Sequence, residues 1–485
     1  MLGNRSRRCI IGIMLSTIVL TSSTGCSIQD KNTDGKPKNE LYEINEMLTV
    51  NLRFKSVSNK EIRERFFVDT KSFFSNEHTY NHRMAKCSFA LSISSFSSGD
   101  TSAHWGEDGD FGRENNLRSA FDDMKLSDQV FVGYDRSLNS SDSKAAFGIG
   151  KKEIMHEKEK CELVVLVIRG GVYGAEWADN FNIGSSGKYH VGFEKSAKYI
   201  KKYVDEYISQ KCTNNKISLL ITGYSRGGAI ANILAAKYQS YAEKKLCVYA
   251  YTFASPNTVI KDEKINCDNI YNIIIPYDAI TSLPPGEWGF AREGKDIIMP
   301  TENETEASKL IYNRLYYHLN ELTGEKYNIS DINKIKALRE IMLMFAQTRD
   351  DFADSYQGVF QDMMTYFMTR VKKERWVNIG FKEYIYKKYS SRAKKAFEKI
   401  SQNNNVISIE QAGISLPEEL IDFLVLCEIH NINVNKIAIS SIKMETLKNV
   451  FSAYSEDFIL FTKRVHAPET YLAWLKTYDF QKALQ

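Results

Sequence analysis

The chain has 485 residues, 43% of them hydrophobic and 12% aromatic, which is ample for a packed core and too long for one ordinary domain. Its formal net charge of +4 falls to near +1 without residues 1–25, which carry Arg5, Arg7, Arg8 and no acid, so charge gives no argument for a nucleic-acid partner. The eight histidines and the cysteines do not combine into the ligand set of a zinc site, and past the N-terminus no window has the length and apolarity of a membrane span.

The first elements are those of export. Three arginines precede a short apolar run, Cys9 to Leu20, and small residues follow from Ser22 to Cys26. This pattern reads as a signal segment over 1–25. Its end resembles a bacterial lipobox, which implies a lipid on Cys26 and a mature chain beginning there. Ser23 departs from the aliphatic residue usual three positions before the cysteine. A membrane-anchored lipoprotein of the cell envelope is expected, with a secreted protein as the alternative. Residues 26–45 are polar and read as a flexible tether. Six cysteines remain past Cys26, scattered and without a Cys-x-x-Cys pair. Export permits disulfides, but this spacing does not demand them.

A core is expected over 46–302, entered through N-terminal helices. Apolar residues recur at three and four between Tyr80 and Phe96, and Asn115 to Met124 reads as a second helix. Val130–Tyr134 and Ala145–Ile149 read as strands joined by a polar loop. The aliphatic run Leu163–Ile168 marks a strand buried on both faces. His190–Ile208 is amphipathic. Strands follow at Ile217–Ile221, Cys247–Phe253 and Ile270–Ile275, with a helix after Ala229. Strands alternating with helices predict a mostly parallel α/β sheet flanked by helices. From 303 to 460 long helical patterns dominate, as in 337–346 and 360–371. They predict a large helical insertion or cap before a return to the core over 461–485.

One strand runs into Gly223-Tyr224-Ser225-Arg226-Gly227, and a helix leaves it. The Gly-x-Ser-x-Gly pattern alone is weak. On a strand–turn–helix it is a nucleophile elbow, with Ser225 raised above the carboxyl edge of the sheet and helix N–H groups beside it. In this region the chain resembles the class 3 lipases of the α/β-hydrolase superfamily. The resemblance rests on Ile168-Arg169-Gly170-Gly171, on Glu176-Trp177-Ala178-Asp179, and on His190-Val191-Gly192-Phe193. It rests further on the elbow, on Thr252-Phe253-Ala254-Ser255-Pro256, and on Asp278 ahead of Leu283-Pro284. It covers roughly 70–300 and leaves 303–460 uncovered. The chain departs from the family at Tyr224, where a His is usual, and at Gly171, where a Thr is usual.

An α/β-hydrolase orders its triad Ser, acid, His. Asp278 follows a buried strand and is the expected acid; Asp262 and Asp268 compete from a polar loop ahead of that strand. Only His318, His430 and His466 come after Asp278. His466 lies in a loop beside Pro468 and is the expected base, with His318 the alternative. His190 precedes the serine, and the resemblance implies a structural role for it. The N–H of Arg226 and, by the resemblance, that of Gly171 would form the oxyanion hole. The Arg226 side chain is expected either to pair with a carboxylate or to contact an anionic substrate group.

These residues imply a serine hydrolase of carboxylic esters, with lipid acyl esters as the expected substrates. The mechanism passes through an acyl-enzyme and calls for no metal or cofactor. The same residues would serve an amidase, a thioesterase or an acyltransferase, and the fold would serve a surface binding protein. Neither the natural ester nor the oligomeric state is written in the sequence.

Overall fold

The computed structural model describes residues 46–96, 109–134, 145–171, 176, 179–214, 216–239, 246–303, 305–331, 339–340, 342–343, 346–363, 381–403, 418–433, 461 and 463–483. The signal segment, Cys26 and the tether lie outside these residues, as do Trp177 and much of the two insertion helices expected at 337–346 and 360–371. All described residues fall in one compact unit, Glu43–Gln485, and its three apolar clusters are internal to it.

The described residues open with a hairpin, β1 (Met47–Lys55) and β2 (Glu61–Asp69), ahead of the first helix. Leu48, Val50, Leu52 and Phe54 alternate inward along β1, the period of a half-buried strand. The helix expected next is α1 (His82–Ser94), capped by the Asn81 side chain, which accepts from the N–H groups of Arg83 and Met84. Nearly every residue of α1 is buried, because it lies between the hairpin and the sheet. It is followed by α2 (Gly109–Asp123).

Seven strands form the main sheet among the described residues, in the order β11-β9-β7-β6-β5-β4-β3. They are β3 (Ser127–Val132), β4 (Phe147–His156), β5 (Glu159–Ile168), β6 (Ile217–Tyr224), β7 (Leu246–Phe253), β9 (Ile270–Ile274) and β11 (Lys295–Ile298). From β5 to β11 the pairing is parallel, and β3 and β4 add an antiparallel edge. A second small pair joins β8 (Val259–Ile260) to β10 (Phe290–Ala291).

The aliphatic run in β5 has a direct physical reason. Leu163, Val165 and Val167 point into the cluster that holds α1, while Val164, Leu166 and Ile168 point into the cluster on the opposite face. There α3 (Val191–Lys211) and α4 (Arg226–Gln239) cover the sheet. A strand covered on both faces has no polar side to show.

The boundary expected at 303 moves. Helix α5 (Glu306–Thr323) is part of the core: Tyr312, Leu315 and Leu319 pack with Tyr471 and Trp474 of the last long helix, which is labelled α9 below. A separate apolar cluster begins later and defines the cap. It takes Met342, Phe352 and Phe360, together with α6 (Phe381–Tyr389), α7 (Ser391–Ser401) and α8 (Glu418–Ile429). Phe181, Ile183, Trp288 and Phe290 of the core join the same cluster. The chain then returns through α9 (Pro468–Thr477), with Pro468 in the first turn, where its missing N–H costs nothing.

If α5 is core, Leu315→Ala leaves a cavity at a fully buried position and should cost about 3 kcal/mol. Urea unfolding of the Glu43–Gln485 unit measures this, and a loss under about 1 kcal/mol would place α5 outside the core.

Candidate active site

Ser225 stands between β6 and α4 with φ at +55°, a left-handed conformation that non-glycine residues rarely hold. Its N–H donates to the Phe253 carbonyl at 2.8 Å, and its own carbonyl accepts from Ala229 at 3.0 Å. The turn closes because two neighbours lack a Cβ. A Cβ on Gly223 would come within 2.4 Å of Gly227, and one on Gly227 within 2.3 Å of the Ile168 carbonyl. The chain can cross this tightly only with glycine at both places.

Asp278 follows β9 and caps a short turn, Ala279–Ser282. Its Oδ1 accepts from the Ile280 N–H at 3.0 Å, and the side chain is wholly buried. His466 lies just ahead of α9. Its Nδ1 is 2.7 Å from Asp278 Oδ2, and its Nε2 is 2.9 Å from Ser225 Oγ. The carboxylate can only accept, so the Nδ1–H donates to it. That leaves Nε2 free to accept the serine proton. The structure thus brings together Ser225, Asp278 and His466, which lie 188 to 241 residues apart in its pairwise contacts.

The competing residues lie elsewhere. His318 sits on α5 beside Glu321 at 3.2 Å. His430 directly follows α8, with Nε2 2.9 Å from Asp362 in the cap. Asp262 is exposed, and Asp268 pairs with Lys295 at 3.3 Å. His190 is fully buried and stacks on Phe193 at 3.9 Å, with Nε2 3.1 Å from the Asn180 carbonyl. Burial pushes its pKa down to about 3, so it is neutral and holds the 180–190 loop in place.

The two acids of the 176–179 segment, Glu176 and Asp179, meet two buried arginines. Arg169 reaches Glu176 at 3.5 Å, and Arg226 reaches Asp179 at 3.6 Å. Arg226 also donates to Ser196 Oγ at 3.0 Å and to Asn180 Oδ1 at 3.4 Å. Burial lowers its pKa, opposed by Glu176 and Asp179. Of the two expectations for this side chain, the carboxylate pairing is the one seen. Gly171 is buried with its Cα face toward Arg226; a Cβ there would lie 3.6 Å from Arg226 Cδ. Its neighbours 172–175 lie outside the described residues.

Two tyrosines enter the site that the sequence did not announce. Tyr471 donates to Asp278 Oδ2 at 2.8 Å, so that oxygen accepts from both Tyr471 and His466. Tyr224 donates to the His466 carbonyl at 2.8 Å, and its ring packs edge-on against Tyr471 at 5.4 Å. Burial drives both phenol pKa values well above their ordinary value, so both stay protonated donors. Tyr471 had one weak signal, its place five residues after His466. Tyr224 had one too, its departure from the family's His.

A small cavity of about 50 Å³ lies over the serine. Phe181, Ile183, Phe193, Ile280 and Leu283 line it, and Met342 enters from the cap. A larger open groove, about 700 Å³, runs along α5 beside Tyr316, Tyr317 and Tyr327 but contains none of these polar groups. Chemistry rather than size marks the first as the candidate site.

Residues 165–288 match the model of the family Lipase (class 3). No curated protein matches the chain. Among solved structures, the triacylglyceride lipase of Rhizomucor miehei is 19% identical, with 32% of this chain and 62% of that chain covered and a TM-score of 0.23. The chain therefore spans less than two thirds of that enzyme. An M37 lipase is 13% identical, with 54% and 79% covered and a TM-score of 0.32. The mono- and diacylglycerol lipase of Aspergillus oryzae is 15% identical, with 47% and 84% covered and a TM-score of 0.26.

If Tyr471 steadies the acid, Tyr471→Phe should slow labelling of Ser225 by a fluorophosphonate about tenfold, the effect of one lost hydrogen bond to a charged group. Gel-based labelling rates measure this, and an unchanged rate would make the contact incidental. Over 165–288 the chain is class 3 lipase-like, on an α/β-hydrolase fold.

Proposed function

We propose that this protein is a serine hydrolase of carboxylic esters, acting on lipid acyl esters. The observation that carries the reading is the unbroken hydrogen-bonded chain from Ser225 Oγ through His466 to Asp278, set on a strained elbow. His466, oriented by Asp278, takes the serine proton as Oγ attacks the ester carbonyl. The N–H groups of Arg226 and Gly171 are the proposed donors to the developing oxyanion. The alcohol leaves with the proton from His466. Water, activated by the same imidazole, then releases the acid from the acyl-enzyme.

The preference for lipid esters comes from the cavity. Its wall is mostly phenylalanine, isoleucine, leucine, proline and methionine, with Asn180 and Arg226 the polar residues beside Ser225, which suits an apolar acyl group better than a polar one. Met342 makes the cap part of that wall, so we read the cap as the cover of an acyl-chain site. The signal segment and Cys26 complete the proposal: the enzyme is exported and held at the membrane by a lipid on Cys26. Cys26→Ala should release it into the medium, and fractionation of cells carrying the variant checks this.

The deciding experiment is hydrolysis of p-nitrophenyl esters from acetate to palmitate by the Glu43–Gln485 unit and its Ser225→Ala variant. Activity lost in the variant supports the hydrolase. Inertness toward every ester, with no phosphonate label, would sink it and favour a binding protein on the same fold. Asp278→Asn should lower kcat by about 10⁴-fold, as loss of an orienting acid does in other triads. Met342→Ala should raise kcat/KM for palmitate relative to acetate by about tenfold, the scale of small volume changes in an apolar pocket. An unchanged ratio would remove Met342 from the acyl site.

A further inference from the structure

The cap carries a face that the hydrolase chemistry does not use. Helices α6 and α7 form a hairpin that packs on α8 through Ile385, Ala393, Ala396 and Ile400. Their outward face is basic. Between 381 and 401 lie six lysines and Arg392 against Glu383 and Glu398, a surplus of five in a chain whose whole net charge is +4.

The bland reading is a solvated face balanced by neighbouring acids, and part of it is so balanced. Lys388 pairs with the buried Asp362, Lys399 with Glu428 at 2.6 Å, and Lys387 with Glu383 at 3.2 Å. After Asp362 and Glu428 are counted, a surplus of three remains. Lys394 and Lys395 are exposed and have no carboxylate partner among the described residues. Beside them Tyr386, 36% exposed, stacks on Phe397 at 5.1 Å, with the Lys382 ammonium 5.1 Å from the same Phe397 ring. An aromatic patch among unpaired lysines is the composition of a surface that meets lipid headgroups. The apolar face of α7 is spent inside the cap, so the contact would be electrostatic and shallow.

We infer that the α6–α7 face docks the protein on a bilayer surface rich in anionic phospholipid. Lipid is favoured over nucleic acid because one apolar cluster joins this hairpin to Phe181, Ile183 and Leu283, which are walls of the cavity over Ser225. In that respect the inference rests on the lipid-ester reading of the site. Docking would bring that cavity to the layer that holds its substrates.

The test uses the Ser225→Ala form of the Glu43–Gln485 unit, so hydrolysis plays no part in the result. That unit contains all three apolar clusters and lacks the N-terminal apolar segment. Sedimentation with vesicles of phosphatidylglycerol and phosphatidylcholine is compared with phosphatidylcholine alone. Binding is expected only with the anionic vesicles and is expected to be lost at about 0.5 M salt, where screening acts within a few ångströms. Lys387→Glu, Lys394→Glu and Lys395→Glu together should weaken it at least about tenfold. Reversal of the exposed Lys198 and Lys202 on α3 should leave it unchanged. Equal binding to both vesicle types, indifference to the hairpin reversals, or equally tight binding of a DNA duplex would each overturn the inference. The melting temperature of each variant is measured alongside to exclude loss of fold. Ester hydrolysis by the wild-type unit in solution tests the site separately, so one reading can fail without the other.

Discussion

The left-handed backbone at Ser225 is the constraint on which the rest depends. A non-glycine residue held there costs about 1–3 kcal/mol and persists only where its surroundings over-determine it. Here they do. β6 is held between β5 and β7 and covered on both faces, so its end cannot relax. The Ser225 N–H is tied to Phe253 across the sheet, and the two glycines let α4 leave at once. The strain buried in the sheet raises Oγ to where an imidazole can reach it.

A second constraint fixes the acid. The turn that Asp278 caps is held from below by Arg292, whose guanidinium donates to the carbonyls of Thr281 and Ser255 and to Asn257 Oδ1, while Asp296 balances its charge. Thr258, Asn232 and Asn272 continue this polar network toward the Glu293 backbone. Buried polar groups are costly unless each finds a partner, and a network that satisfies them admits few alternative geometries. Asp278 is thereby presented to His466 by a rigid turn. Tyr224 and Tyr471 act from the other side, one on the histidine's backbone and one on the acid's carboxylate.

One of the contacts that tie the cap to the same region is an arginine. Arg349 donates to the carbonyls of Ile183, Gly184, Ser186 and Gly187, the loop that carries one wall of the cavity. Its grip and the Met342 contact make the cap and that wall one packed body. This couples the basic outer face of the cap, through the apolar cluster beneath it, to the space above the nucleophile.

The sequence by itself determined what depends on near neighbours. The two-sided run of β5, the strand-to-helix step at Ser225 and the amphipathic stripe of α3 all follow from local periodicity and glycine placement. The β1–β2 hairpin is written just as locally, in the alternation of Leu48, Val50, Leu52 and Phe54. Only the tertiary structure decided the rest. His318, His430 and His466 all follow Asp278 in the chain, and nothing local separates a base from a helix residue; the packing of α9 against α5 sets His466 beside Ser225. The same packing moved α5 from the cap into the core, because an amphipathic stripe states that a face is buried but not against what. Met342 and Arg349 are silent for the same reason, and Tyr471 nearly so: their roles are contacts made over long chain separations, and such contacts exist only once the fold has closed.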